Sequence, residues 1–274
     1  MHNRYARVST VGALMAVLTL AGCYEPVDYP EIISPAAPRP SVLPSSYQIV
    51  GTSAEYHPIL CLTLGQGPDV ILVIATIHGD EAVGTPLVRR LAAYLREHPN
   101  LLEGRTVVLL PVANPDGMAR GIRYNAHNVD LNRNFEAANR VTDEHSGQTA
   151  LSEPEARIIR RLITQYKPDR IVSLHQPLGC IDYDGPAASL ADRMADYCTL
   201  PVKKVGARPG SLGSYAGVTL GIPIITFEML AADSKLDEQT LWNRYGKALI
   251  AAVVFPDSPD LQRPPSRSKP PAGR

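Results

Sequence analysis

The chain has 274 residues, with 27 basic and 27 acidic side chains, no net charge and no basic block along its length. That balance excludes a nucleic-acid binder of the usual kind, which needs clustered Lys and Arg to neutralise phosphates. Hydrophobic residues supply 45% of the chain, enough for one core in a domain of ordinary size.

Near the start, Arg4 and Arg7 precede an apolar run from Val11 to Leu20 that ends on Ala21-Gly22-Cys23. A charged start, a short apolar run and small residues describe a secretory signal over residues 1–22. The run is too short to cross a bilayer as a helix, which takes about 20 residues. Leu20-Ala21-Gly22-Cys23 resembles the lipobox of bacterial lipoproteins. That resemblance implies cleavage before Cys23, lipidation of its thiol, and an exported protein held on a membrane and facing the periplasm. The plainer alternative is an ordinary secretory signal with an incidental Cys23. Residues 23–46 are expected to form a tether, because Pro26, Pro30, Pro35, Pro38, Pro40 and Pro44 forbid a helix or a central strand. As polyproline II the tether reaches at most about 70 Å, at ~3.1 Å per residue.

The folded body is expected over residues 47–255, followed by a proline-rich, disordered tail over 256–274. Within the body, Val70 to Ile77 is a continuous aliphatic run, the signature of a strand buried on both faces, and it leads into His78. A helix is predicted from Glu81 to Glu97, with Val83, Leu87, Val88, Leu91 and Leu95 near helical spacing. Thr106 to Val112 reads as a second buried strand, ended by a turn at Asn114-Pro115-Asp116-Gly117. Ser152 caps a helix that begins at Glu153-Pro154-Glu155 and runs to about Tyr166. Arg170 to Leu174 is a third strand, ending at His175, and Ile222 to Phe227 a fourth, ending at Glu228. A last helix spans about Asp237 to Val254. Buried strands alternating with helices predict an α/β fold, a mixed, largely parallel sheet covered by helices on both faces. Of the body cysteines Cys61, Cys180 and Cys198, Cys180 and Cys198 are the expected pair if a bridge forms, and none has the CxxC spacing of a zinc site.

His78-Gly79-Asp80-Glu81 and the distant His175 offer two nitrogens and one carboxylate oxygen, the donor set of a single zinc ion with a fourth position open for water. His-x-x-Glu alone is common on surface helices, and a lone histidine is often a satisfied core residue. The strand-end positions single these residues out, because ligands in open α/β sheets bind beyond the carboxyl ends of the strands. Glu81 and His175 stand 94 positions apart, so the site exists only if the fold closes that gap.

Asn114 to Gly117, Arg123 and Val129-Asp130-Leu131-Asn132-Arg133-Asn134-Phe135 add to the constellation, and with Thr226-Phe227-Glu228 the chain resembles the zinc carboxypeptidases. The resemblance implies that His78, Glu81 and His175 hold zinc. It implies that Asp130 accepts a hydrogen bond from His78 and fixes its ring. Glu228 becomes the general base that activates water and returns the proton to the leaving amine, and Arg123 stabilises the oxyanion. Asn132 and Arg133 grip the substrate's terminal carboxylate, which a guanidinium matches with two parallel hydrogen bonds.

Within the family, Leu174 to Asp182 and Pro209-Gly210-Ser211-Leu212-Gly213-Ser214-Tyr215 resemble the branch of bacterial murein peptide amidases and DL-carboxypeptidases. That branch implies cleavage between γ-D-glutamate and meso-diaminopimelate in peptidoglycan-derived peptides, with Asp182 and Asp184 as candidate partners of the diaminopimelate ammonium. There are departures from the branch. Ala75-Thr76-Ile77 precedes His78 where such relatives often carry glycines, and Gln176 follows His175 where a small residue is common. Two other functions stay open: an aspartoacylase-like deacylase of N-acyl amino acids on the same scaffold, and a lipoprotein that binds wall peptides without cutting them.

Overall fold

The computed structural model describes residues 46–256. The expected signal, Cys23, the tether up to residue 45 and the tail from residue 257 lie outside the described residues. In chain order the elements are β1 (Gln48–Thr52), β2 (Pro58–Gly65), β3 (Asp69–Ala75), α1 (Gly84–Glu97), β4 (Arg105–Leu110), α2 (Pro115–Arg120), α3 (Pro154–Tyr166), β5 (Arg170–His175), β6 (Leu178–Asp184), α4 (Ala188–Ala195), β7 (Ile224–Leu230) and α5 (Glu238–Val254). The seven strands form one sheet in the order β1-β2-β4-β3-β5-β7-β6. β4, β3, β5 and β7 run parallel in its centre, and β1, β2 and β6 pair antiparallel at the edges. The sheet is therefore mixed, with its parallel part where the sequence predicts it.

Strand periodicity divides the core in two. Ile71, Val73 and Ala75 of β3 point to the side covered by α1, α4 and α5, where Leu87, Leu91, Leu190, Tyr245 and Leu249 are buried. Val70, Leu72 and Ile74 point to the other side, against Ile159 and Leu162 of α3 and against Leu131 and Phe135. Period-two alternation within unbroken aliphatic runs sends every second residue to each core. Each of Leu87, Leu91 and Leu95 is fully buried, which is worth about 1.5–3 kcal/mol per side chain.

Several boundaries differ from expectation. α1 begins at Gly84 rather than Glu81, because residues 79–83 form turns that curl His78 and Glu81 together, with Glu81 N–H donating to the His78 carbonyl at 3.2 Å. Asn114 to Gly117 opens a short helix instead of a simple turn. The Asn114 side chain caps it by accepting from Gly117 N–H at 2.9 Å, and Pro115 occupies the first turn. Glu153, not Ser152, is the cap residue of α3, and Ser152 instead donates to Glu153 Oε1 at 2.8 Å. β7 starts at Ile224, and Glu228 lies two residues inside its end. β6 is an edge strand, so Asp182 and Asp184 stand on a sheet and not in a loop. Cys61 and Cys180 are free thiols, so no bridge joins Cys180 to Cys198, which corrects the expected pairing.

Candidate active site

Ser173 and His175 of β5 and Thr226 and Glu228 of β7 occupy the rungs where the α3-side core gives way to polar residues. His175 pairs with Glu228, and Ser173 with Thr226. β4 and β5 flank β3 on opposite sides, so the carboxyl end of β3 is a switch point in strand order, where α/β sheets bind ligands. The turn after β3 delivers His78 and Glu81 there, and the last residue of β5 delivers His175. The fold thus closes the 94-residue gap.

The ligand-type atoms of His78, Glu81 and His175 lie within 4.8 Å of one another, and all three residues are buried. His175 Nδ1 is 2.8 Å from Glu81 Oε2, and His78 Nδ1 is 2.8 Å from Glu81 Oε1. His78 Nδ1 nevertheless has no hydrogen-bond partner of acceptable geometry in the protein. A buried nitrogen brought beside a carboxylate but not bonded to it fits a position meant for a metal. Each imidazole is steadied through its other nitrogen. His78 Nε2 lies 3.0 Å from Asp130 Oδ1, and His175 Nε2 lies 2.9 Å from Ser173 Oγ. That outer arrangement leaves both Nδ1 lone pairs free for a cation. The donor set, two imidazoles and one carboxylate, suits zinc.

Asp130 is more than a partner of His78. Its Oδ1 also accepts from Asn132 N–H at 2.8 Å, and its Oδ2 accepts from Arg123 Nε at 3.0 Å. Arg123 reaches on to Glu81 Oε1 through Nη1 at 3.1 Å. Burial opposes charge on Asp130, but His78, Arg123 and Arg133 hold its carboxyl well below the usual carboxylate range. Glu228 stands opposite. Its Oε2 accepts from Leu178 N–H at 3.3 Å, and burial raises its pKa against the opposing attraction of His175. A carboxylate whose proton affinity is raised in this way suits a general base near neutral pH.

His78, Glu81, Arg123, His175 and Glu228 line one cavity of about 220 Å³, which also takes in Asn132, Arg133, Asp182, Asp184 and Arg208. Asn132 Oδ1 accepts from Leu212 N–H at 2.8 Å, which leaves its amide nitrogen as the donor for a ligand carboxylate. Among the described residues, Arg133 Nη1 donates only to the neighbouring Asn132 carbonyl, at 2.5 Å. Asp182 is buried, and its Oδ1 accepts from Tyr183 N–H at 2.9 Å and Val205 N–H at 2.8 Å. His78, Glu81, Arg123, Asn132, Arg133, His175, Asp182, Asp184 and Glu228 therefore meet in one place, with Asp130 behind His78. Ser173 and Arg208 went unnoticed there, since neither carries a motif and only the strand rung or the loop path brings it to the cavity.

Glu55, His57 and Asp116 also converge. Asp116 is already filled by Ser53 Oγ at 2.6 Å, Glu55 N–H at 3.0 Å and His57 Nδ1 at 2.6 Å, while Glu55 pairs with Arg120. This cluster ties the loop after β1 to α2.

The family profile described as zinc carboxypeptidase matches residues 40–183. Murein peptide amidase A of Escherichia coli K12 is 37% identical over 175 residues, covering 57% of this chain and 69% of that protein. The Vibrio campbellii murein peptide amidase A is 30% identical over 219 residues, covering 72% and 84%. The crystal structure of the murein-tripeptide amidase of Escherichia coli O157 superposes with a TM-score of 0.61 at 25% identity, over 80% of this chain and 95% of that one. The profile match ends at residue 183, and Glu228, beyond it, is brought to the site by the pairing of β7 with β5.

Proposed function

The chain belongs to the zinc carboxypeptidase family, and from that premise we propose that it cleaves the γ-D-glutamyl–meso-diaminopimelate bond of peptidoglycan-derived peptides. Family membership makes it a metallopeptidase hydrolase whose metal is zinc. The observation that carries the substrate reading is the set of charges in one cavity: the ligands and Glu228, Arg133, and Asp182 and Asp184 on the β6 wall one and two rungs from Glu228. A terminal diaminopimelate, bearing an α-carboxylate and a side-chain ammonium, fits that set of charges, and the relatives named murein peptide amidases support a peptide of peptidoglycan origin.

His78 and His175 present Nδ1, and Glu81 its carboxylate, to hold the zinc. When bound, the metal polarises the scissile carbonyl and lowers the pKa of water. Arg133 and Asn132 take the terminal carboxylate and so place the last amide bond against the base. Glu228 Oε1, the oxygen not engaged by Leu178, takes a proton from the attacking water as the new carbon–oxygen bond forms. Arg123 offsets the charge on the carbonyl oxygen, and its contacts to Asp130 and Glu81 keep the guanidinium from swinging away. Glu228 then passes the proton to the diaminopimelate nitrogen as the carbon–nitrogen bond breaks.

The test is incubation of the zinc-loaded protein with L-Ala-γ-D-Glu-meso-diaminopimelate, with products identified by mass. Free diaminopimelate supports the reading. Cleavage of ordinary L-peptides only, or of nothing, overturns it. We further propose periplasmic display through a lipid on Cys23, which predicts fatty-acid labelling of the wild type and none of Cys23→Ala.

A further inference from the structure

The rungs of β6 and β7 set a depth scale below the base. Glu228 faces Cys180, Thr226 faces Asp182 and Ile224 faces Asp184. Same-face residues on a strand are roughly 7 Å apart, so Asp182 lies about one such step below Glu228 and Asp184 about two. Diaminopimelate carries its second ammonium and second carboxylate four carbon–carbon bonds from the first α-carbon, about 5 Å when extended. Its distal end therefore arrives beside Asp182, needing a partner for each charge. Asp182 answers the ammonium, because only its Oδ1 is taken by backbone donors, those of Tyr183 and Val205. Asp184 is shared with Lys204 Nζ at 3.5 Å.

The distal carboxylate needs a cation, and two of the cavity's three arginines are already assigned. Arg123 is committed to Asp130 and Glu81, and Arg133 takes the α-carboxylate. Arg208 lines the cavity, and among the described residues no carboxylate or carbonyl pairs with its guanidinium. Its backbone is nonetheless held in place. The strand-side residues Lys203 and Val205 are tied to Ile181 and Asp182 of β6, and the Arg208 carbonyl accepts from Ser211 N–H at 3.0 Å and Ser214 Oγ at 3.0 Å. Gly210, at φ +68°, packs so close to Arg133 that an added Cβ would stand 2.4 Å from the Arg133 carbonyl oxygen. One loop thus joins Asp182 to Arg133 and carries Arg208 between them.

We propose that Arg208 is a specificity residue that receives the distal carboxylate of the substrate's last residue, beside the ammonium site at Asp182, and so selects diaminopimelate over lysine. The proposal rests on the diaminopimelate reading above. It is tested with three zinc-loaded proteins, the wild type, Arg208→Met and Arg208→Lys, on three tripeptides ending in meso-diaminopimelate, in its distal carboxamide and in lysine. In the wild type, kcat/KM for diaminopimelate is expected to exceed that for the carboxamide and for lysine by roughly 10- to 100-fold, the worth of one charge-assisted contact. Arg208→Met should bring that ratio close to one, and Arg208→Lys should restore part of it. Free diaminopimelate should likewise lose its advantage over lysine as a competitive product inhibitor. A global folding defect would lower all three substrates together and leave the ratio intact. A wild type that cleaves the diaminopimelate peptide while Arg208→Met keeps its full preference overturns the role of Arg208 alone. A wild type that releases no diaminopimelate overturns both this role and the reading beneath it.

Discussion

Replacing Asp130 tests whether the metal site depends on its outer contacts as the geometry requires. The carboxylate is buried and all three of its contacts are donors: His78 Nε2 and Asn132 N–H on Oδ1, and Arg123 Nε on Oδ2. The His78 contact does most for metal binding, because a proton held on Nε2 keeps the Nδ1 lone pair available for the cation. Asp130→Ala removes it, frees the ring to turn or to protonate at Nδ1, and releases Arg123. Loss of such an outer partner costs about 10–100-fold in metal affinity, or about 1.4–2.7 kcal/mol.

Asp130→Asn is a finer probe. An amide can keep its oxygen towards His78 and Asn132, but its NH2 then meets the Arg123 Nε–H donor. The reverse orientation meets Asn132 N–H and favours the wrong tautomer of His78. The first is the lesser cost, so Asn should keep most of the zinc affinity and lose more in turnover, whereas Ala should lose both. Competition with a fluorescent chelator gives the zinc Kd directly, and thermal unfolding of the metal-free proteins separates site loss from fold loss. Zinc binding by Asp130→Ala within about twofold of wild type would refute the argument that His78 is preset through Nε2.

Three further outcomes follow from the same geometry. Glu228→Gln should lower kcat by about 10²–10⁴-fold with zinc content and substrate binding retained; hydrolysis at the wild-type rate would remove Glu228 from the base role and also the ground for preferring catalysis over mere binding. Gly79→Ala should lose zinc and much stability, because an added Cβ would sit 2.0 Å from the Gly117 carbonyl carbon and 2.4 Å from Met118 N; a wild-type Kd for zinc in this variant would contradict the close approach. Asp116→Asn should cost about 1–3 kcal/mol at pH 7 by leaving a donor unpaired, as read from urea unfolding. Although burial opposes its charge, hydrogen bonds from Ser53, His57 and Glu55 hold the Asp116 pKa below the ordinary value of 3.8, so its contribution is complete above that value and lost as pH falls through the lower, folded one. The gap between Asp116→Asn and wild type should therefore narrow as the pH falls below 3.8; a gap that does not narrow in acid would oppose this account.

Legibility followed burial. β3, β4, β5 and β7 are buried on both faces and apolar except where β5 and β7 turn Ser173, His175, Thr226 and Glu228 to the site, so their runs are legible, and α1 and α5 show their buried stripes. β6 was hidden because its site-facing positions are Cys180, Asp182 and Asp184 and Gly179 takes φ +61°. A strand whose inward face serves a ligand looks like a loop. β1 was hidden for the opposite reason, being an edge strand with Gln48, Ile49 and Thr52 exposed. His78, Glu81 and Arg133 were legible through motif chemistry. Arg208 was not, since an arginine before Pro209-Gly210 acquires meaning only when the loop is seen to lie against Arg133.

The residues just before His78 show what holds the site at its required accuracy. Thr76 adopts φ 56°, a left-handed conformation that costs a β-branched residue about 1–3 kcal/mol. A glycine at this position would avoid that cost. Thr76 offsets it with its hydroxyl, 2.8 Å from Thr85 Oγ1, which in turn donates to the Pro111 carbonyl at 2.9 Å. The bend also turns the Thr76 carbonyl to accept from Asn114 N–H at 2.9 Å, while Asn114 Nδ2 donates to the Ile77 carbonyl at 3.3 Å and Gly79 N–H to the Arg123 carbonyl at 3.2 Å. The end of β3, the start of α2 and the Arg123 loop are therefore knitted into one body. His78, Glu81 and Arg123 ride on it together, and His175 and Glu228 ride on adjacent central strands. A metal ligand set tolerates errors of only about 0.5 Å, and a strained, cross-tied turn meets that demand where a freer glycine turn would need its rigidity from elsewhere.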